Sequence, residues 1–350
     1  MRAFRITAPR QGGFVDLPVP QPGSGEIRLG VSWLGLCGSD LSTWRGANAL
    51  AAYPRIPGHE VAGVVEALGS GVEGWSVGDE ALVVPYTACG SCSACRAGRP
   101  NCCRNNQTLG VQRDGALAAS IVIPAEKLLR VPGLGLRELA LVEPLSVGFH
   151  AASRAGIVAG ETVVVIGAGG VGIGAVAGAA ARGARVIVVD VDERKLELAR
   201  RLGAADTMDG RRADLVEALS ALDGGEGPPV LIEAAGQAST FRACVEAAAF
   251  AGRVVYIGYA KEPVSYETRG FVQKELDIRG SRNALREDFE AAAAWLLADR
   301  SRAELLVTRT LPFAEVARAF AEWDAEPGAV TKILIDCAGG ENRGGHWSQL

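Results

Sequence analysis

Cys89, Cys92 and Cys95 stand three residues apart, and Cys102 and Cys103 follow, so the stretch CGSCSACRAGRPNCC holds five of the chain's eight cysteines. Four thiolates from so short a loop can converge on one ion, and a four-thiolate zinc site is closed to water and substrate. The loop therefore reads as a staple rather than a reaction centre. An iron–sulfur cluster also takes four thiolates, but nothing else in the sequence points to electron transfer. Chemistry needs an open site. The remaining donors of the N-terminal half are Cys37, Ser39 and Asp40 in GLCGSD, His59 and Glu60 in PGHE, and Glu143 and His150 in EPLSVGFHAA. One thiolate, one imidazole and one carboxylate leave a fourth tetrahedral position free, where an ion acts as a Lewis acid on a substrate hydroxyl.

A second chemical pattern follows the run TVVVI. Gly167, Ala168, Gly169, Gly170, Val171 and Gly172 form G-x-G-x-x-G between an apolar run and an Ala-rich stretch. In a strand–turn–helix context such glycines let the backbone approach a pyrophosphate at the helix N-terminus. Asp190 closes the next apolar run, 23 residues beyond Gly167. An acid there accepts hydrogen bonds from the adenosine ribose and repels a 2′-phosphate, so the expected cofactor is NAD rather than NADP. Lys195 is a candidate contact to the same ribose or to the adenine, and a solvated helix face explains it as well.

Two kinds of element must position these residues. Up to residue 148 the chain is rich in Gly and Pro, with short β-like runs at EIRLGVSWL, HEVAGVVEAL, ALVVPY and ASIVIP, which predicts a compact β-rich unit with long loops. From Glu161 the runs TVVVIG, RVIVVD, PVLIEA and RVVYIG are continuously apolar and alternate with Ala-rich helical stretches. Strands buried on both faces and separated by helices predict a doubly wound parallel sheet, so the fold class is α/β with two domains. Beyond LDIRGS, a helix at FEAAAAWLLADR and strands at LLVTRTL and TKILIDC are assigned back to the N-terminal unit. This gives residues 1–148 with 285–350 as one domain, containing the loop 89–103, and 149–284 as the dinucleotide-binding domain, the two meeting at a cleft. The Gly-rich tail CAGGENRGGHWSQL reads as disordered.

Composition narrows the partners. The chain of 350 residues is 48% hydrophobic and 22% charged, with a net charge of −4 spread without long runs of one sign. No basic footprint calls for nucleic acid, and no apolar run reaches the roughly 18 residues of a membrane span. The start, MRAFRITAPRQGG, has no apolar signal region, so the expected setting is a reducing cytoplasm in which clustered cysteines bind metal. The expected partner is a small molecule.

GLCGSD, GHEVAGVVEALGSGV, VGDEALV, the four-cysteine loop, EPLSVGFHAA and GAGGVGIG, in this order, resemble the zinc-dependent medium-chain dehydrogenases over about residues 1–337. The resemblance implies a GroES-like catalytic domain built from both chain ends, a central Rossmann domain, and a homodimer or homotetramer. It implies two zinc ions per chain, catalytic and structural, and NAD-linked oxidation of a secondary alcohol to a ketone. The structural zinc of the family takes its fourth ligand seven residues after the third, which selects Cys103 beside Cys89, Cys92 and Cys95. EPLSVGFHA is similar to the polyol dehydrogenase branch, and GVQRDG to the branch that oxidises sugar acids.

For the catalytic ion the expectation is that Cys37, His59 and Glu60 hold it at rest. Glu143 then stands next to it through water, or exchanges with Glu60, and Ser39 passes the substrate proton outward. Arg282, in GSRN, is expected to bind substrate hydroxyls or a carboxylate, as an arginine does in similar polyol dehydrogenases. Two departures bear on the substrate: Ser42 replaces a histidine frequent in relatives, and Ala118-Ala119-Ser120 stands where many have A-E-Y. An L-threonine 3-dehydrogenase shares most of these motifs and is the alternative enzyme. A zinc-ribbon binding module is a remote alternative that leaves the glycine motif and the acidic charge unexplained.

Overall fold

The computed structural model describes residues 1–339 and divides into two compact units: Met1–Glu143 together with the segment from Leu296, and Pro144–Trp295. The divisions fall inside the helices Val142–Ala155 and Arg286–Ala298 rather than at 148/149 and 284/285. A helix carries its hydrogen bonding across such a point, so no turn residue marks it in the sequence.

In the first unit a seven-stranded sheet runs in the order Arg309–Pro312, Ile333–Asp336, Glu26–Leu36, Glu60–Leu68, Glu80–Val83, Leu128–Leu129, with Ser120–Pro124 also paired to Glu26–Leu36. The first two strands are parallel and the remaining pairs antiparallel. Of the run LLVTRTL only the last three residues belong to a strand, Arg309–Pro312, because Leu305 and Leu306 close the short helix Ser301–Leu306 and bury Leu306. A hairpin, Arg2–Ala8 with Gln11–Asp16, completes the unit. The chain end is held by its apolar face: Phe320 of the helix Val316–Ala325 stacks on Phe4 at 5.9 Å and on Trp44 at 5.3 Å between ring centroids. Cys337, which the sequence reading placed both at the end of the strand run TKILIDC and at the head of the tail, belongs to this core. It is buried, and its N–H donates to Ser32 O at 2.9 Å. The rest of that predicted tail, residues 340–350, lies outside the described residues.

The second unit holds six parallel strands in the order Asp206–Asp209, Arg185–Asp190, Thr162–Ile166, Val230–Glu233, Arg253–Tyr256, Asp277–Gly280. Thr162–Ile166 is buried along its whole length, as a central strand covered on both faces requires. Chain order reverses between it and its neighbour Val230–Glu233, the position at which such sheets bind ligands beyond their carboxyl ends. Among the described residues no helix is long and apolar enough to cross a membrane.

Candidate active site

The strand Glu26–Leu36 ends directly before Cys37, which is the N-cap of the helix Gly38–Arg45. Glu60 opens the neighbouring strand opposite Gly35, and His59 precedes it. Successive side chains of a strand face opposite ways, so His59 and Glu60 can reach one ion only if the chain bends there. Gly58 provides the bend with φ +99°, where a side chain would also come within 2.5 Å of Leu34 Cδ1. As a result, ligand atoms of Cys37, His59 and Glu60 all lie within 4.8 Å of one another.

Asp40 braces the two segments. Its carboxylate accepts from Cys37 N at 2.9 Å and from Gly58 N at 3.1 Å. Its Oδ1 lies 3.8 Å from His59 Nδ1, too far for a hydrogen bond, and that nitrogen is buried without a partner. Glu143, in the first turn of the helix Val142–Ala155, is buried and accepts from Tyr86 Oη at 2.5 Å. Burial pushes its carboxyl up to about 6, against the pull of His59. Burial disfavours the charged form of His59, but Asp40, Cys37 and Glu143 outweigh it and hold the imidazole well above its ordinary value. One thiol and three acids thus surround a single imidazole with an orphaned buried nitrogen. A thiol, a carboxylate and an imidazole with an orphaned buried nitrogen, gathered within 4.8 Å, form a donor set that suits a divalent cation.

Sequence reasoning missed Lys332 and Tyr86. Lys332 Nζ donates to both oxygens of Glu60, at 2.5 and 2.7 Å. The available signal was a lysine opening the otherwise apolar strand run KILID. His150 belongs to the second unit, where its Nδ1 lies 2.7 Å from Asp288 Oδ2 and both side chains are buried. Ser39 is half-buried, two residues from Cys37 in the helix that Cys37 caps.

The cysteine loop forms a separate donor set. Sulfur atoms of Cys89, Cys92, Cys95 and Cys103 lie within 4.8 Å of one another, while Cys102 stands outside that group with its sulfur 3.7 Å from Arg99 Nη2. Main-chain N–H groups of Cys89 and Asn105 point at Cys103 Sγ from 3.3 and 3.4 Å, the arrangement that stabilises a thiolate. Hydrogen bonds from Ser91 and Cys92 pull the Cys89 thiol down to about 5, whereas burial and its thiol neighbours push Cys95 up to about 11. All eight cysteines are free of disulfides. A four-sulfur set of this kind fits zinc, which at structural sites contributes about 10–16 kcal/mol to folding. Cys103→Ser should therefore lower metal content by one ion per chain and lower the melting temperature, read by metal analysis and thermal denaturation. Unchanged metal content would show that the loop holds none.

In the second unit Gly167 has φ +98°, and a Cβ there would meet Ala235 N at 2.7 Å. At Gly172 a Cβ would strike Gly167 O at 1.8 Å, whereas at Gly169 it would meet nothing within 4 Å. The turn is thus packed on its inner side and open where the helix Gly170–Ala180 begins, which is the form of a pyrophosphate cradle. Asp190 Oδ2 accepts from Ala168 N at 2.7 Å and Oδ1 from Asp192 N at 2.9 Å, so one carboxylate fixes both the turn and the strand end. Lys195 is half-buried in the helix Glu193–Arg201, and Arg282 is exposed just past the strand Asp277–Gly280.

Residues 23–133 match the family described as alcohol dehydrogenase GroES-like domain, and residues 170–298 the family described as zinc-binding dehydrogenase. The chain is 34% identical over 321 residues to the L-galactonate-5-dehydrogenase of Escherichia coli K12, covering 91% of this chain and 94% of that protein. It is 31% identical over 342 residues to the sorbitol dehydrogenase of Halalkalibacterium halodurans, covering 96% and 99%. Among solved structures, a short chain alcohol dehydrogenase from E. coli CFT073 complexed with the cofactor NADH is similar, with TM-score 0.89 and 31% identity over 96% of this chain and 99% of that one. Likeness of this degree along nearly the whole length shows that the chain belongs to the zinc-binding alcohol dehydrogenase superfamily and is an oxidoreductase.

Proposed function

We propose that the protein oxidises a secondary alcohol of a polyol or sugar acid to a ketone, with NAD as hydride acceptor and zinc at the Cys37–His59–Glu60 site. The observation that carries this reading is that open donor set, one thiolate, one imidazole and one carboxylate within 4.8 Å. Similarity to galactonate and sorbitol dehydrogenases supports the substrate class. Zinc in this position supplies Lewis-acid polarisation of a substrate oxygen.

The chain's own residues provide the rest. Asp40 fixes the spacing between the segments that carry Cys37 and His59. Glu143, with its carboxyl raised to about 6 and oriented by Tyr86, stands ready to exchange with Glu60 or to order a water. Ser39 Oγ passes the hydroxyl proton outward. NAD held by the glycine turn would supply the hydride acceptor, so that a substrate losing a hydride and a proton would yield the ketone, NADH and one proton. Gly169 leaves room for the pyrophosphate, and Asp190 and Lys195 meet the adenosine ribose.

The experiment is NAD reduction across a panel of polyols, sugar acids and L-threonine, with metal analysis. Turnover on polyols or sugar acids and two zinc ions per chain are expected, the ion held by one thiolate leaving to chelator faster than the four-sulfur one. Activity on threonine alone would overturn the substrate class. Arg282 binds the substrate's hydroxyl or carboxylate groups in this reading, and Arg282→Ala should raise KM about tenfold or more, the loss of one charge-assisted hydrogen bond. An unaltered KM would remove it from the site.

A further inference from the structure

Lys332 stands beside the donor set without being able to bind a cation. Its ammonium has three protons, and the structure gives it three acceptors: Glu60 Oε1 at 2.5 Å, Glu60 Oε2 at 2.7 Å and Leu36 O at 3.3 Å. The group is only 6% exposed, and Glu60 is fully buried. Leu36 directly precedes Cys37, so the same ammonium that holds both Glu60 oxygens is tied to the backbone that carries the thiolate. The carboxylate reaches this position because residue 35 is glycine. A Cβ there would sit 1.9 Å from Glu60 Oε2.

A carboxylate whose two oxygens both face an ammonium has less charge to give a second cation. We propose that Lys332 is a positioning residue that competes with the metal for Glu60, making Glu60 a ligand that detaches rather than one that stays. This rests on the reading of Cys37, His59 and Glu60 as a zinc site. A buried pair kept only for stability makes the opposite demand: removing the lysine would leave an uncompensated anion, loosen the site and release metal faster. If Lys332 competes, removing it hands Glu60 wholly to the metal.

The test is the rate at which each zinc ion leaves the fully loaded protein to excess chelator, measured apart from activity. In Lys332→Met the faster-leaving ion should depart about 10–100-fold more slowly than in the wild type, the range that corresponds to loss of one competing charge-assisted hydrogen bond. The four-sulfur ion should leave at its wild-type rate. Lys332→Arg keeps a cation and should return the rate toward wild type. Combining Lys332→Met with Glu60→Gln should give the rate of Glu60→Gln alone, since the effect passes through that carboxylate. Lys332→Gln gives the same reading should the methionine variant fail to fold. Unchanged or faster release in a folded variant would overturn the inference, as would equal slowing in the Glu60→Gln background, which would mean a general charge effect. A wild-type chain that never carries the second ion would overturn the proposed function itself, whereas a second ion with unaltered release would overturn this inference alone.

Discussion

His59→Ala should lower kcat by about a thousandfold and reduce zinc content from two ions per chain to one. The size follows from the several kcal/mol that a Lewis-acid metal supplies, at about 1.4 kcal/mol for each tenfold. Among the described residues His59 is the one imidazole of the donor set, so its loss leaves the site without a nitrogen ligand. The four-sulfur set shares no residue with this site and should keep its ion, which separates loss of the catalytic metal from general unfolding. The two glutamates should behave differently. Glu60→Ala leaves the Lys332 ammonium buried without its countercharge, with Leu36 O as its remaining acceptor, so it should cost about 3–5 kcal/mol of stability as well as turnover. Glu143→Ala removes an acceptor of Tyr86 Oη and should cut turnover with a smaller change in denaturation midpoint. Wild-type turnover with full metal content in His59→Ala would defeat this account of catalysis. The same result in both glutamate variants would remove them from it.

Asp190→Ser should lower kcat/KM with NAD about 10–100-fold and raise the relative activity with NADP. Losing a charge-assisted hydrogen bond to the ribose accounts for the first effect, and removing a carboxylate that repels a 2′-phosphate for the second. The carboxylate also accepts from Ala168 N and Asp192 N, so serine could act partly by loosening the glycine turn. Asp190→Asn retains an acceptor without the charge and separates these causes. A shift in cofactor ratio with asparagine belongs to the charge, and a shift seen only with serine belongs to the turn. If neither variant changed the ratio of activities, Asp190 would not set cofactor choice.

The parts of this protein legible in its sequence are those encoded within short stretches. Cys89, Cys92, Cys95 and Cys103 fall within one loop, so spacing alone proposes their convergence, although spacing does not choose between Cys102 and Cys103. The glycine turn and Asp190 lie on successive elements of one parallel sheet, where a continuous apolar run marks each strand and Gly167 and Gly172 mark the close approaches. Cys37, His59 and Glu60 were nameable by type, but their meeting depended on the bend at Gly58 and on the register that sets Glu60 against Gly35. Lys332 carried only a weak signal, a charge heading an apolar run, and its partner lies 272 residues away. Nothing local to TKILID distinguishes a lysine that snorkels to solvent from one folded inward onto a carboxylate. Pairing of the strand Ile333–Asp336 with Glu26–Leu36 decides it, bringing Ile333 opposite Leu36 and carrying the preceding lysine to Glu60. Cys337 shows the same limit: its polar, Gly-rich neighbours read as tail, yet the residue is buried because the strand before it is paired. Side-chain chemistry and spacing determined which residues could act, and the antiparallel register of strands distant in sequence decided which of them share a site.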